Sequence, residues 1–127
     1  MASDTVLPVP DLIFKICPAA LWAQSVASGT FTGAPVDLAD GYIHFSTADQ
    51  ARETAAKHFA GQSDLLLIAV EVARLGIALR WEPSRGGALF PHLYAPLACR
   101  TVAWVRPLPL GPDGTHQFGA LDSAQTS

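Results

Sequence analysis

With 127 residues, half of them apolar and 15% charged, the chain is long enough to bury a core without disulfides or structural metal. Its formal charge of −3, with eight Lys and Arg residues spread along the chain, offers no basic surface for a phosphate backbone, so we expect no nucleic-acid partner. No apolar run approaches the ~20 residues of a membrane helix, and the first residues lack the pattern of a secretory signal, so we expect a cytoplasmic protein without a membrane partner.

The residue pattern predicts a single domain over residues 11–110. Residues 1–10 form an N-terminal extension with little pattern, and the Gly, Asp, Ser, Thr and Gln residues over 111–127 predict a peripheral tail. Cys17 and Cys99 lack the paired spacings of zinc or redox sites, so we expect two reduced, buried thiols.

The domain begins with a predicted strand over residues 11–17, where apolar residues alternate. A helix follows, with Pro18 in its first turn and Gly29 at its end. Residues 30–40 contain glycine, proline and, at the end, an Asp-Gly turn signal. This composition indicates an irregular loop, of the kind that often edges a pocket.

Residues 41–47 join a short strand to the start of a second helix. At the two-residue period of a strand, one face carries Tyr42, His44 and Ser46, and the opposite face is apolar. The strand ends at a helix N-terminus, whose free N–H groups favour anions. We therefore infer that a pocket is built here.

The second helix has the clearest start signal in the chain, because Thr47 and Gln50 have the spacing of a capping box. Its inner face consists of small residues and ends at Phe59. Residues 65–72 are then apolar on both faces. That pattern is expected of a central strand that is covered from both sides.

The late part of the chain is predicted to contain three more strands. The first, over residues 77–82, turns Ile77 inward and Glu82 outward, and a glycine-rich loop with Arg85 follows it. The last strand covers residues 101–105. Because the helices come early and most strands late, we predict an α+β domain with a bent or split, mainly antiparallel sheet and two main helices.

The middle one of these strands repeats the pattern of the 41–47 stretch. Phe90, His92 and Tyr94 share one face, which we expect to meet the face that carries His44. The predicted cleft has three candidate catalytic residues, His44, Glu82 and His92. Its candidate ligand-binding residues are Tyr42, Ser46, Arg85, Phe90 and Tyr94. A small-molecule ligand is the expected partner.

Other interpretations of these residues compete with a catalytic or ligand site. His44 is also consistent with a hydrogen-bonded structural residue, and Ser46 with a helix cap. The set His44, Glu82 and His92 could ligate zinc or iron, but no His-x-His or His-x-x-x-His spacing accompanies it, so we predict no metal site. A serine hydrolase is disfavoured because Ser46 lacks the Gly-x-Ser-x-Gly elbow.

Over about residues 11–107 the chain resembles a bacterial family without an assigned activity, family 952 of the domains of unknown function. The matching motifs as they stand here are Phe14-Lys15-Ile16, Tyr42-Ile43-His44-Phe45-Ser46-Thr47 with Gln50, Arg80-Trp81-Glu82, and Phe90-Pro91-His92-Leu93-Tyr94.

A more distant similarity is to the ADP-ribosyltransferase fold, in particular its RNA 2′-phosphotransferase branch, through His44-Phe45-Ser46 followed by a helix, an apolar strand and a late aromatic segment. This resemblance implies a split sheet with an NAD-sized cleft, in which His44 and Ser46 contact a ribose and the late aromatic residues flank the nicotinamide. Transferases of this fold usually use a glutamate near a late strand, and Glu82 is the only glutamate after Glu71. The basic RNA-binding module of the phosphotransferases is absent.

These observations leave two functions open. In the first, the protein is an enzyme, active or degenerate, that handles NAD or an ADP-ribose-like nucleotide; Arg85 pairs with the pyrophosphate and Glu82 stabilises positive charge at the ribose carbon. In the second, the same cleft is a non-catalytic module that binds a small anion or a partner's segment. The position of Glu82 discriminates between them, because a carboxylate directed into the cleft favours the enzyme.

Overall fold

The computed structural model describes residues 10–119 and Leu121. In this part of the chain the helices are α1 (Ala19–Ser28), α2 (Pro35–Asp40) and α3 (Ala48–His58). The strands are β1 (Leu12–Pro18), β2 (Thr30–Phe31), β3 (Ile43–His44), β4 (Leu65–Glu71), β5 (Leu79–Ser84), β6 (Ala88–Leu93), β7 (Leu97–Ala98) and β8 (Val102–Leu108). None of the described helices has the length and apolar character to span a bilayer. The architecture is α+β, as predicted.

The first sheet has the strand order β1-β4-β8 and is antiparallel. Its central strand β4 is apolar on both sides because both sides are covered. One side belongs to a core that includes Ala51 and Ala55 of α3. The other belongs to a core that includes Trp22 of α1 and Phe31 of β2. The prediction of a doubly covered central strand is confirmed.

The second sheet has the order β3-β6-β5 and is also antiparallel. The chain leaves this sheet after Phe45, whose amide still donates to the carbonyl of Pro91 in β6 at 2.9 Å. Ser46 and Phe14 of β1 then exchange two backbone hydrogen bonds of 2.8 Å. The segment thus connects the two sheets, and β2 and β7 form a small third one. The predicted antiparallel, split arrangement is confirmed.

The N-terminus of α3 is closed by the predicted capping box. The hydroxyl of Thr47 accepts from the amide of Gln50 at 3.2 Å, and the side-chain oxygen of Gln50 accepts from the amide of Thr47 at 3.0 Å. The side-chain nitrogen of Gln50 also donates to the carbonyl of Leu89 at 2.7 Å. The cap therefore fixes the start of α3 against β6 as well.

Residues 30–40 were predicted to be an irregular loop, and this prediction is wrong for most of them. They contain β2 and the short helix α2, which has Pro35 at its first position. The turn before the helix requires Gly33, because its φ is 126° and a Cβ there would lie 2.8 Å from the Cβ of Asp37. The backbone is thereby packed closely around the buried side chain of Asp37.

Two other expectations are corrected. Ile77 is 97% exposed instead of inward, because Gly76–Ala78 is a 3-10 turn and the strand begins only at Leu79. Part of the expected peripheral tail is packed: Phe118 is buried in the core beside α3, and Nε2 of the buried His116 donates to the carbonyl of Gln62 at 2.8 Å. Except for Pro10, the expected N-terminal extension lies outside the described residues.

Candidate functional site

His44 and His92 lie side by side in the second sheet. They are direct partners in the register of β3 and β6, and their ring centroids are 5.4 Å apart in a T-shaped arrangement. The polar faces of the two segments therefore meet. Two imidazoles at this distance fit easily within one small-molecule site.

Tyr42 packs against both histidines. Its ring stacks on His92, with centroids 4.2 Å apart, and lies 4.6 Å from the ring of His44. The ring of Tyr94 is also close, with its centroid 5.1 Å from that of Tyr42. The pKa of Tyr42 is raised. Desolvation is the largest cause, and the charges of nearby carboxylates such as Asp40 add to it. The cluster thus contains a neutral phenol with aromatic rings on several sides.

Glu82 forms hydrogen bonds with two members of this cluster, His92 and Tyr94. Its Oε1 atom lies 2.7 Å from Nδ1 of His92 and accepts the hydroxyl of Tyr94 at 2.8 Å. Since a carboxylate only accepts, we assign the hydrogen of neutral His92 to Nδ1, which leaves Nε2 as an acceptor. The hydrogen bond from His92, then that from Tyr94, lowers the pKa of Glu82, and the same contact raises the pKa of Tyr94. Glu82 therefore fixes the orientation and the tautomer of His92.

Arg80 adds a cation at the edge of the cluster. It is the register partner of His92, and its guanidinium lies 4.8 Å from the centre of the Tyr94 ring. The residue is exposed. A cation over an aromatic face is attracted by the ring, so Arg80 is held beside the site while its charge stays accessible.

Both ring nitrogens of His44 face carboxylates of α2. Nδ1 lies 2.6 Å from Oδ1 of Asp37, and Nε2 lies 2.9 Å from Oδ2 of Asp40. A neutral imidazole has one donor and one acceptor nitrogen. The contact at Nδ1 is a hydrogen bond, and the contact at Nε2 is an ion pair when both ring nitrogens carry a hydrogen.

Asp37 connects His44 to a buried lysine. Nζ of Lys15 lies 3.0 and 2.8 Å from the two carboxylate oxygens, and the amides of Ala34 and His44 donate to the same carboxylate. Burial alone would raise the pKa of Asp37, but the hydrogen bond from His44 and the charge of Lys15 outweigh it and lower the pKa to about 2. Burial lowers the pKa of Lys15, and Asp37 offsets part of that effect. Asp37 is thus a fixed, buried carboxylate beneath the site.

Residues 16–105 match the family described as "Protein of unknown function (DUF952)". The chain belongs to this family. Among curated proteins no match was found.

The DUF952 fold is also found in solved structures of protein CC0527 from Caulobacter crescentus. Its X-ray structure is 54% identical to this chain, covers 85% of this chain and 95% of that one, and has a TM-score of 0.82. Its solution NMR structure is 54% identical, covers 85% and 93%, and has a TM-score of 0.78. Neither name states an activity for that protein.

Two of the candidate ligand-binding residues, Ser46 and Phe90, have different positions. Ser46 is buried, and its hydroxyl lies 3.2 Å from that of Thr54 in α3, so it connects α3 to the sheet. The expectation that Ser46 lines the site with its hydroxyl does not fit this contact. Phe90 is buried opposite Glu82 in the β5–β6 register. The side chain of Arg85 lies outside the described residues.

The pattern of the sequence contained one signal for the missed residues Asp37 and Asp40. Lys15 interrupts an otherwise apolar strand, and a lysine buried there requires a carboxylate partner. That signal predicts a buried acid somewhere in the chain. It does not identify which one, because Asp37 is 22 residues away.

The described residues offer little for metal or thiol chemistry. Within residues 10–119 no group of three or more His, Cys, Asp or Glu side chains is arranged to hold a metal ion. Cys17 is buried, and burial raises the pKa of its thiol to about 11. Cys99 is only partly buried, which corrects the expectation of two buried thiols, and desolvation raises the pKa of its thiol as well. Both cysteines are therefore protonated at neutral pH and poor nucleophiles.

A separate cavity of about 210 Å³ lies between α3 and residues 114–118. It is lined by small residues of the helix, by Arg52 and by His116. None of the candidate site residues lines it. The guanidinium of Arg52 lies 5.1 Å from the ring centre of Phe118 and donates to the carbonyl of Gly119 at 3.3 Å, contacts that hold the C-terminal segment on α3.

Proposed function

We propose that the cluster around His44 and His92 binds NAD or an ADP-ribose-like nucleotide and that Glu82 and His92 promote loss of the group attached to the ribose carbon. The observation that carries this proposal is the carboxylate of Glu82, which is hydrogen-bonded to His92 and Tyr94 beside the ring of Tyr42. A carboxylate held in one orientation beside aromatic faces suits a ligand that carries or develops positive charge.

The residues present fit the nicotinamide half of NAD in two respects. The nicotinamide ring of NAD is a flat cation, and the rings of Tyr42 and Tyr94 offer aromatic surface next to the carboxylate of Glu82. The ribose hydroxyls need donors and acceptors, and the rings of His44 and His92 supply both. At the edge of the cluster, Arg80 supplies a cation that can pair with phosphate, the role that the sequence analysis predicted for Arg85.

The reaction we propose breaks the bond between the nicotinamide nitrogen and the ribose carbon. Nicotinamide leaves with the electron pair of that bond, and the positive charge that develops on the ribose is stabilised by the carboxylate of Glu82. Water, or the hydroxyl of an acceptor, attacks the carbon and gives its proton to Nε2 of His92. His92 suits this role because Glu82 holds Nδ1–H and stabilises the ring once it becomes positive.

The charge of the cluster argues against a small free anion as the natural ligand. Glu82 and Asp40 are both partly exposed there, with side chains 33% and 45% accessible. An isolated anion would meet both negative charges in a partly desolvated site. A nucleotide avoids this cost when its ribose lies beside the carboxylates and its phosphates lie toward Arg80.

The test is incubation with NAD followed by measurement of free nicotinamide, with calorimetric titration of NAD and ADP-ribose in parallel. We expect saturable binding of both nucleotides and release of nicotinamide that depends on Glu82. Absence of turnover together with absence of binding to NAD, ADP-ribose and a 2′-phosphorylated nucleotide contradicts the proposal.

A second candidate function is a binding module without catalysis, and the contacts of His44 favour it. Both nitrogens of this ring are already engaged by carboxylates, so His44 cannot transfer a proton without losing one contact. In that case ADP-ribose binds without any turnover of NAD, and His44→Ala weakens binding without changing a reaction. Nicotinamide release above the uncatalysed rate eliminates this candidate.

A further inference from the structure

The two carboxylates that contact His44, those of Asp37 and Asp40, differ in their burial and in the number of other contacts they make. Asp37 is 1% exposed and also contacts Lys15 and the amide of Ala34. Asp40 is the last residue of α2, and its side chain is 45% exposed. Within the described residues, the one polar contact of its side chain is the ion pair with Nε2 of His44, at 2.9 Å. The contact at Nδ1 is therefore anchored in the core, whereas the contact at Nε2 can be exchanged.

We propose that Asp40 is an internal stand-in for a ligand oxygen at Nε2 of His44, and that ligand binding displaces it. The inference rests on the proposed function in taking the cluster as a ligand site. Asp37 is then a positioning residue, because it fixes Nδ1 and the amide of His44. Nε2–H becomes the donor that an incoming ligand meets.

The group that replaces Asp40 must be an oxygen acceptor, such as a ribose hydroxyl or a phosphate oxygen. Such a ligand has to break the contact between Asp40 and His44 before it can bind. If the ligand is an anion, the charge of Asp40 also repels it. Removal of Asp40 should therefore strengthen binding, which is the opposite of what removal of a ligand-binding residue does.

The first measurement needs no ligand and uses NMR of the imidazole nitrogens of the full chain. In Asp40→Ala we expect the signal of His44 Nε2 to shift, while that of Nδ1 keeps its wild-type position because Asp37 is unchanged. Asp40→Asn retains an oxygen acceptor and should shift Nε2 less. An unchanged Nε2 signal in Asp40→Ala overturns the inference, because the contact is then not made in solution.

The second measurement is titration with inorganic phosphate and with ADP-ribose, followed at the His44 signals. Since an exposed ion pair is worth about 0.2–1 kcal/mol, we expect Asp40→Ala to bind phosphate up to about fivefold more tightly than the wild type. Glu53→Ala is the matched control: it removes one exposed carboxylate from α3, where Glu53 pairs with Lys57, and should leave the affinity unchanged.

Each result of the titration decides one of the two proposals. Equal or weaker binding of phosphate and of ADP-ribose by Asp40→Ala, or no saturable binding of either ligand by either protein, overturns the stand-in role. Tighter binding of ADP-ribose by Asp40→Ala supports it even when inorganic phosphate, repelled by the carboxylates, does not bind. Tighter phosphate binding without any ADP-ribose binding supports that role and contradicts the nucleotide function. Tighter binding of both ligands supports both.

Discussion

Glu82 and His92 form a diagonal pair across two neighbouring strands: Glu82 lies opposite Phe90 in the register, yet its Oε1 atom is 2.7 Å from Nδ1 of His92. Diagonal positions on one face of an antiparallel pair are within reach of long side chains. The β5–β6 hairpin thereby supplies both members of the proposed acid–base pair. Its geometry depends only on the pairing of two adjacent strands.

Glu82→Gln should reduce NAD turnover by about 10²–10³-fold, because the amide keeps the shape of the side chain but loses the charge that stabilises the developing cation. The free energy of unfolding should change little, since the carboxylate is partly exposed. Nicotinamide release and urea unfolding measure the two effects. Glu71→Gln, at an exposed ion pair with Arg74, is the control and should leave turnover unchanged. Equal activity of both variants would show that Glu82 has no catalytic part.

Tyr94→Phe should raise the pKa of Glu82. The hydrogen bond from His92 is the larger cause of the lowered pKa and stays in place, but the contribution of the Tyr94 hydroxyl is lost. Carbon-13 NMR titration of the Glu82 carboxylate measures the change. Tyr42→Phe is the matched control, because no hydrogen bond from Tyr42 lowers the pKa of Glu82. A pKa that is the same in both variants contradicts the contact.

The two-residue period of a strand was sufficient to predict most of the cluster. Tyr42 and His44 alternate with apolar residues on one short strand, and His92 does so on another, so the pattern places them on faces that pair. For Glu82 the same period predicted only an outward-facing side chain on the strand now seen as β5, and its contact with His92 was left open. The alternation within each strand is local, whereas the pairing of His44 with His92 joins strands that are far apart in the sequence.

The same period failed for Ser46 for a physical reason. After Phe45 the chain leaves the second sheet and bridges to Phe14 of the first, so the alternation no longer refers to one surface. Asp37 and Asp40 were missed because a short helix was interpreted as a loop. The contact between Asp37 and Lys15 depends on the packing of α2 against β1, and no local pattern reports it.

Asp37→Asn should lower the free energy of unfolding by about 3–5 kcal/mol, because it leaves the ammonium of Lys15 buried without its counter-charge. Urea unfolding measures the loss. Addition of Lys15→Met should recover part of it, since the unpaired buried charge is then removed. Asp40→Asn, at the exposed end of the same helix, should cost no more than about 1 kcal/mol. A similar small cost for Asp37→Asn would contradict the buried pair.

Asp37 should also make the protein sensitive to acid. Its pKa is lowered from an ordinary value of 3.8 to about 2, so its contribution to stability, about 2–3 kcal/mol, is complete above about pH 4. It is lost as the pH falls from about 4 toward 2, where the folded protein also binds the proton. Unfolding midpoints across this interval measure the effect. In the Lys15→Met background the dependence should be shallower, and an unchanged slope would assign the acid sensitivity to other groups.

Titration of NAD into the labelled protein, followed at the imidazole signals of its histidines, tests the nucleotide site most directly. The site predicts saturable shifts at His44 and His92, with a weaker apparent affinity in Glu82→Gln. His58, exposed in the last turn of α3, and His116, beside the separate cavity, should not respond. Absence of a saturable shift at His44 and His92, or shifts confined to His116, would contradict the claim that this cluster binds the nucleotide.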